Sequence, residues 1–177
     1  MIGSFAPVRV IGLGNVLMGD DALGPWVVEE LLAGWDFPEG VSVLDVGTPG
    51  LDLTPYLADA TAVFIVDTVK SDVPPGTLRI YDRDALLRHP PPPRLSPHDP
   101  GLTEALLSLD FAGCAPRDVV LVGVVPEKIE KRVGLTPRVR AAVDRAGAEI
   151  VDRLGRIGLP PRRRPGGPFA PWWEAAV

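Results

Sequence analysis

Two aspartates, Asp20 and Asp21, stand side by side in a glycine-bounded turn that follows an apolar run, "GLGNVLMGDDALG" (12–24). A loop built to cradle a phosphate has no use for two carboxylates, so the pair points to other chemistry. A third acid, Asp67, closes the run "TAVFIVD" (61–67), where a carboxylate after an apolar stretch is costly unless paired or bound to metal. His98 lies in the proline-stiffened loop "HPPPPRLSPHDP" (89–100). Together Asp21, Asp67 and His98 offer two oxygens and a nitrogen. That set suits a borderline divalent ion, zinc or nickel, with positions left for water or a substrate group. Each residue also has a plainer reading. Asp21 suits a helix N-cap, His98 a hydrogen-bonded loop position, Asp20 a cap or an orienter of its neighbour, and Asp45 a hydrogen bond to the "GTPG" turn.

Other chemistries use these residues less well. Gly12 and Gly14 begin a dinucleotide-type turn and Asp45 imitates a ribose-binding acid, but Leu17 stands where the third glycine belongs, and carboxylates at 20 and 21 would repel a pyrophosphate. Cys114, the only cysteine, sits in "FAGCAP" with no histidine near it in sequence. It excludes an internal disulfide and a thiolate metal cage, and an inert thiol is the plainer reading. The chain has no G-x-S-x-G elbow, H-E-x-x-H helix or Walker A loop.

The elements that must position these groups are legible from hydrophobic pattern. Four apolar runs, "VRVIGL" (8–13), "VSVLDV" (41–46), "TAVFIVD" (61–67) and "DVVLVGVV" (118–125), are continuous rather than alternating, as in a parallel sheet covered on both faces. "GTLRIY" (76–81) alternates and suits an edge or antiparallel strand. Helical spacing is found over 22–33, 100–109 and 137–155, the last opening with Thr136 as cap and Pro137 in the first turn. The alternation predicts an α/β chain: a three-layer α/β/α sandwich around a mostly parallel or mixed sheet of about five strands. In such folds ligands gather beyond the carboxyl ends of the strands, where Asp20, Asp21, Asp45 and Asp67 fall. The expected organisation is one domain over 1–158 and a Pro/Arg-rich tail, 159–177, loosely ordered and dispensable for folding.

With 18 Lys and Arg against 23 Asp and Glu, the net charge of −5 argues against nucleic acid as a partner. No signal-like segment or membrane-length apolar run occurs, and a cytoplasmic location is expected.

Five segments, in order, resemble the [NiFe]-hydrogenase maturation endopeptidases: "GLGNVLMGDDALG" (12–24), "DVGTPG" (45–50), "FIVDT" (64–68), "SPHDPGL" (96–102) and "LVGVVPE" (121–127). The resemblance spans about residues 8 to 155. It implies an α/β/α endopeptidase that removes the C-terminal extension of the hydrogenase large-subunit precursor after nickel insertion. It further implies that Asp21, Asp67 and His98 are the catalytic and metal-binding residues, with aspartate at 21 where some members have glutamate. The nickel would be supplied by the precursor, which is the implied partner, and a monomer is expected. Glycines in "GLGN" and "GTPG" would let the substrate backbone come close. The rival readings are a nickel-dependent maturation chaperone that binds the precursor uncut, and a nucleotide-binding α/β protein.

Overall fold

The first apolar run forms strand β1 (Val8–Leu13), buried along almost its whole length and hydrogen-bonded on both sides. This is the arrangement that a run without alternation demands. The computed structural model describes residues 7–49, 53–92, 101–166 and 169–174. Strands β3 (Val41–Gly47), β4 (Ala62–Thr68) and β6 (Asp118–Val124) join β1 in parallel, and β5 (Leu78–Asp82) pairs antiparallel with β6. The order β3-β1-β4-β6-β5 makes a mixed five-stranded sheet, as expected. Arg9 is the one cation inside β1. It is buried, and its guanidinium donates to the Tyr56 carbonyl at 2.9 Å.

Helices cover both faces. On one face α1 (Leu23–Gly34) and α5 (Pro137–Arg156) pack Leu23, Val27, Val143 and Ile150 onto Val10, Phe64 and Val122. On the other, α2 (Thr54–Leu57), α3 (Arg83–Arg88) and α4 (Leu102–Ala112) bring Leu57, Leu86 and Leu106 onto Ile11, Ile65 and Leu121. The α1 N-terminus lies unusually close to β1. A Cβ on Gly12 would stand 2.5 Å from the Gly24 carbonyl oxygen, and one on Gly24 would stand 2.2 Å from that of Leu13. These glycines therefore admit the chain's own backbone.

The described part of the tail departs from expectation. Strand β7 (Arg162–Arg163) pairs antiparallel with β2 (Trp35–Asp36), just after α1. Trp173 is 3% exposed and meets Trp26 of α1 edge-on at 6.4 Å, beside Phe169 at 6.2 Å from the same ring. The sequence expectation of a loose tail rested on its prolines and arginines. The docking rests on two tail rings, Phe169 and Trp173, that meet Trp26 of α1, while Trp172 packs edge-on against Trp173 and stays largely exposed. Replacing Trp173 with alanine is expected to cost about 3 kcal/mol, a typical loss for a buried tryptophan. A thermal melt should show a fall of about 10 °C for a chain of this size; an unchanged melting temperature would mean that the tail adds nothing to the core.

Glu30, half-buried on α1, stands 3.6 Å from the Arg140 guanidinium, which itself lies 4.4 Å over the Trp26 ring. Burial pushes the Glu30 carboxyl up from 4.5 to about 7, with Asp144 reinforcing the shift and Arg140 opposing it. The folded chain therefore holds this proton more tightly than the unfolded one does. The resulting stability is fully present below about pH 4.5 and is lost as pH rises toward about 7. Glu30→Gln should flatten this decline in a series of melts across that range. A variant that declines as steeply as the parent would assign the slope to other groups.

Candidate active site

The turn after β1 is a short 3-10 helix, Gly19–Ala22, with all four residues buried. It places the two adjacent aspartates in different surroundings. Asp20 is wholly inaccessible and reaches across to the loop between β6 and α5. Its Oδ2 accepts from the Glu127 and Lys128 N–H groups, both at 2.8 Å, and from the Thr136 hydroxyl at 3.0 Å; its Oδ1 accepts from the Thr136 N–H at 2.6 Å. Four donors to one carboxylate satisfy a buried charge without a cation, and the N-terminus of α5 adds a favourable dipole.

Asp21 turns toward the sheet. Its Oδ2 accepts from the Asn15 N–H at 2.9 Å, and its Oδ1 lies 3.5 Å from the Thr68 hydroxyl, a long contact. Neither aspartate caps α1, whose N-cap position is Ala22 with no side-chain bond. The cap reading is thus replaced by tertiary partners for both. Thr136, expected to cap α5, makes no side-chain cap bond either, because its hydroxyl is given to Asp20.

Asp67 lies one residue before the end of β4, half-buried, and its Oδ1 accepts from the Thr68 N–H at 2.7 Å. Thr68 is thus the link between the two acids, directing its N–H to Asp67 and its hydroxyl toward Asp21. The sequence reading overlooked it. Its signal was a buried threonine directly after the acid of "FIVDT", a position where a hydroxyl needs a polar partner. Asp45, near the end of β3, accepts from the Gly47 N–H at 2.9 Å, the turn bond its sequence suggested. Burial pushes its carboxyl above the usual range and the Gly47 N–H draws it partly back.

His98 lies outside the described residues. Among the described residues, no group of three histidine, cysteine, aspartate or glutamate side chains is placed to hold a metal ion. Cys114 precedes β6 and its carbonyl accepts from Asp59, at the end of the sheet opposite the Asp21 turn. It is remote from the acids. A Cβ on Gly14, at φ +137°, would fall 1.8 Å from the Asp21 carbonyl oxygen, so this position requires glycine to let the chain's own turn pack against β1.

With this geometry in place, the chain matches the family model described as hydrogenase maturation protease over residues 25–153, from α1 into α5. It belongs to the hydrogenase maturation protease family. The hydrogenase 2 maturation protease of Escherichia coli K12 is 36% identical over 153 residues, covering 86% of this chain and 93% of that protein. The solved structure of the hydrogenase maturating endopeptidase HybD from E. coli superposes with a TM-score of 0.80 at 35% identity, covering 89% of this chain and 97% of the other. The [NiFe] hydrogenase maturation protease HybD from Thermococcus kodakarensis gives a TM-score of 0.61 at 28% identity, covering 83% and 97%. Membership supports a peptidase role, and the α/β/α architecture with a mixed sheet is that of the family's solved members. Among the described residues no helix of this maturation protease is long and apolar enough to cross a membrane.

Proposed function

We propose that this protease removes a C-terminal extension from the precursor of a [NiFe]-hydrogenase large subunit once nickel has been inserted, and that it reads the nickel the precursor carries. The observation that supports this most is the pairing of Asp21 and Asp67 through Thr68 at the carboxyl ends of β1 and β4. Two carboxylates there, with His98 of the "SPHDPGL" segment as a nitrogen donor, match a borderline ion such as nickel.

In this reading Asp21, Asp67 and His98 grip the incoming ion and so fix the adjoining peptide beside the carboxyl ends of the strands. A divalent ion polarises an amide carbonyl and activates water, which is the chemistry that amide hydrolysis needs. The chain's own residues set the geometry. Thr68 orients both acids, and Asn15 holds the far oxygen of Asp21. A precursor without nickel gives the three ligands nothing to hold, so processing would follow insertion. Incubation of the protein with nickel-loaded precursor, read by mass spectrometry for a shortened subunit and a released peptide, tests the reading. A precursor bound but left intact would instead indicate a maturation chaperone.

A further inference from the structure

Asp20 is the most heavily bonded side chain beside the site, and the proposed chemistry gives it no part. All four of its hydrogen bonds go to Glu127, Lys128 and Thr136, the two ends of a single loop. The turn and the loop are further stitched by backbone bonds: Gly19 N–H to Arg132 O at 2.8 Å, Asp20 N–H to Lys128 O at 3.0 Å and Arg132 N–H to Leu17 O at 3.1 Å. Gly19 is at φ +60°, and a Cβ there would stand 2.9 Å from the Lys128 carbonyl oxygen, so the fit leaves no slack.

This construction is unusual in what it holds. Residues 127–132 are all exposed, among them Ile129 at 48%, and Leu17 on the facing turn is 57% exposed. At the far end of the loop Val133 and Leu135 pack against the core, whereas the exposed stretch 127–132 is held chiefly by polar bonds to the buried Asp20 carboxylate and the Gly19–Ala22 turn. A fully satisfied buried polar network of this kind specifies one arrangement.

We propose that Asp20 is a positioning residue. By clamping the 127–136 loop to the Gly19–Ala22 turn, it fixes a rim beside Asp21 against which the precursor docks, with Leu17 and Ile129 as its apolar contacts. The inference rests on the proposed processing reaction and adds to it a surface for the body of the substrate, separate from the grip on the ion. Because the rim binds and does not react, loosening it acts on KM and leaves kcat near its original value.

Thr136 allows the test without altering the residue next to Asp21. Thr136→Val removes the hydroxyl that donates to Asp20, and Thr136→Ser keeps it. Expected for Thr136→Val are faster amide exchange confined to 127–136 and a rise of about tenfold in KM for nickel-loaded precursor, the scale of one charge-assisted hydrogen bond. Thr136→Ser should restore both. Leu17→Ala with Ile129→Ala should raise KM with no change in exchange. Faster exchange in Thr136→Val with unchanged KM would overturn the docking role, and unchanged exchange would overturn the clamp. If the parent protein leaves nickel-loaded precursor uncut, the processing reading fails instead, while the exchange data still report on the clamp.

Discussion

Asp67→Ala is expected to abolish precursor processing, a loss of at least about a hundredfold, while the fold survives. The magnitude follows from the proposed role: partners one step removed from a metal already cost 10- to 100-fold when lost, and Asp67 is read as a direct ligand. Survival of the fold follows from its place one residue from the end of β4, half-buried, where the pairing of Ala62 to Val66 with β1 does not depend on its side chain. Asp67→Asn separates charge from hydrogen bonding. The amide oxygen can still accept from the Thr68 N–H, so the local turn is kept, while the negative charge is gone. Both variants should give the circular dichroism of the parent and leave the precursor at full length on a gel. Cleavage at the parent rate by either one would remove Asp67 from the site.

The second large effect is dependence on the precursor's nickel. Precursor from nickel-fed cells should release a short C-terminal peptide, and precursor from nickel-starved cells should stay intact, an all-or-none contrast under mass spectrometry. A resident catalytic ion would behave differently. Cleavage would then ignore the nickel state of the precursor and respond to stripping metal from the protease beforehand. His98→Ala should weaken cleavage of the loaded form, because the remaining two oxygens hold a borderline ion less well than a set with one nitrogen. Equal cleavage of loaded and unloaded precursor would defeat recognition of nickel even with peptidase activity intact.

The Glu30 and Trp173 predictions concern the side of α1 that meets α5 and the tail, with Trp26 in its first turn and Glu30 further along, and they read stability rather than processing. Arg164 anchors the β7 strand there through a 2.6 Å pair with Asp36, and Glu30 titrates beside Arg140 on the same side. Variants in this region should change stability while leaving the acids at the carboxyl ends of the strands in place.

Amino-acid order alone determined the frame. The runs at 8–13, 61–67 and 118–125 could be read as central strands because burial on both faces requires unbroken apolarity, and each forms within a residue or so of the expected span. The helix over 137–156 was equally legible from the spacing of Val139, Val143, Ala146, Ile150 and Leu154. The same order put Asp20, Asp21, Asp45 and Asp67 at the strand ends. The short helices α2 and α3 escaped notice, since four and six residues carry too little periodicity to be seen. The Asp45–Gly47 turn bond was local and legible, but tertiary structure alone decided the partners of the polar groups that bond between distant segments. Asp20 and Thr136 each looked like a local helix cap, and instead they bond to each other across 116 positions of chain. Trp173 looked like part of a loose tail and lies under Trp26. Periodic burial is a local property repeated along the chain, so sequence displays it. A hydrogen bond or ring contact between distant segments is set only when packing of the sheet and helices brings them together, and the donors and rings involved read the same in sequence whether or not they meet.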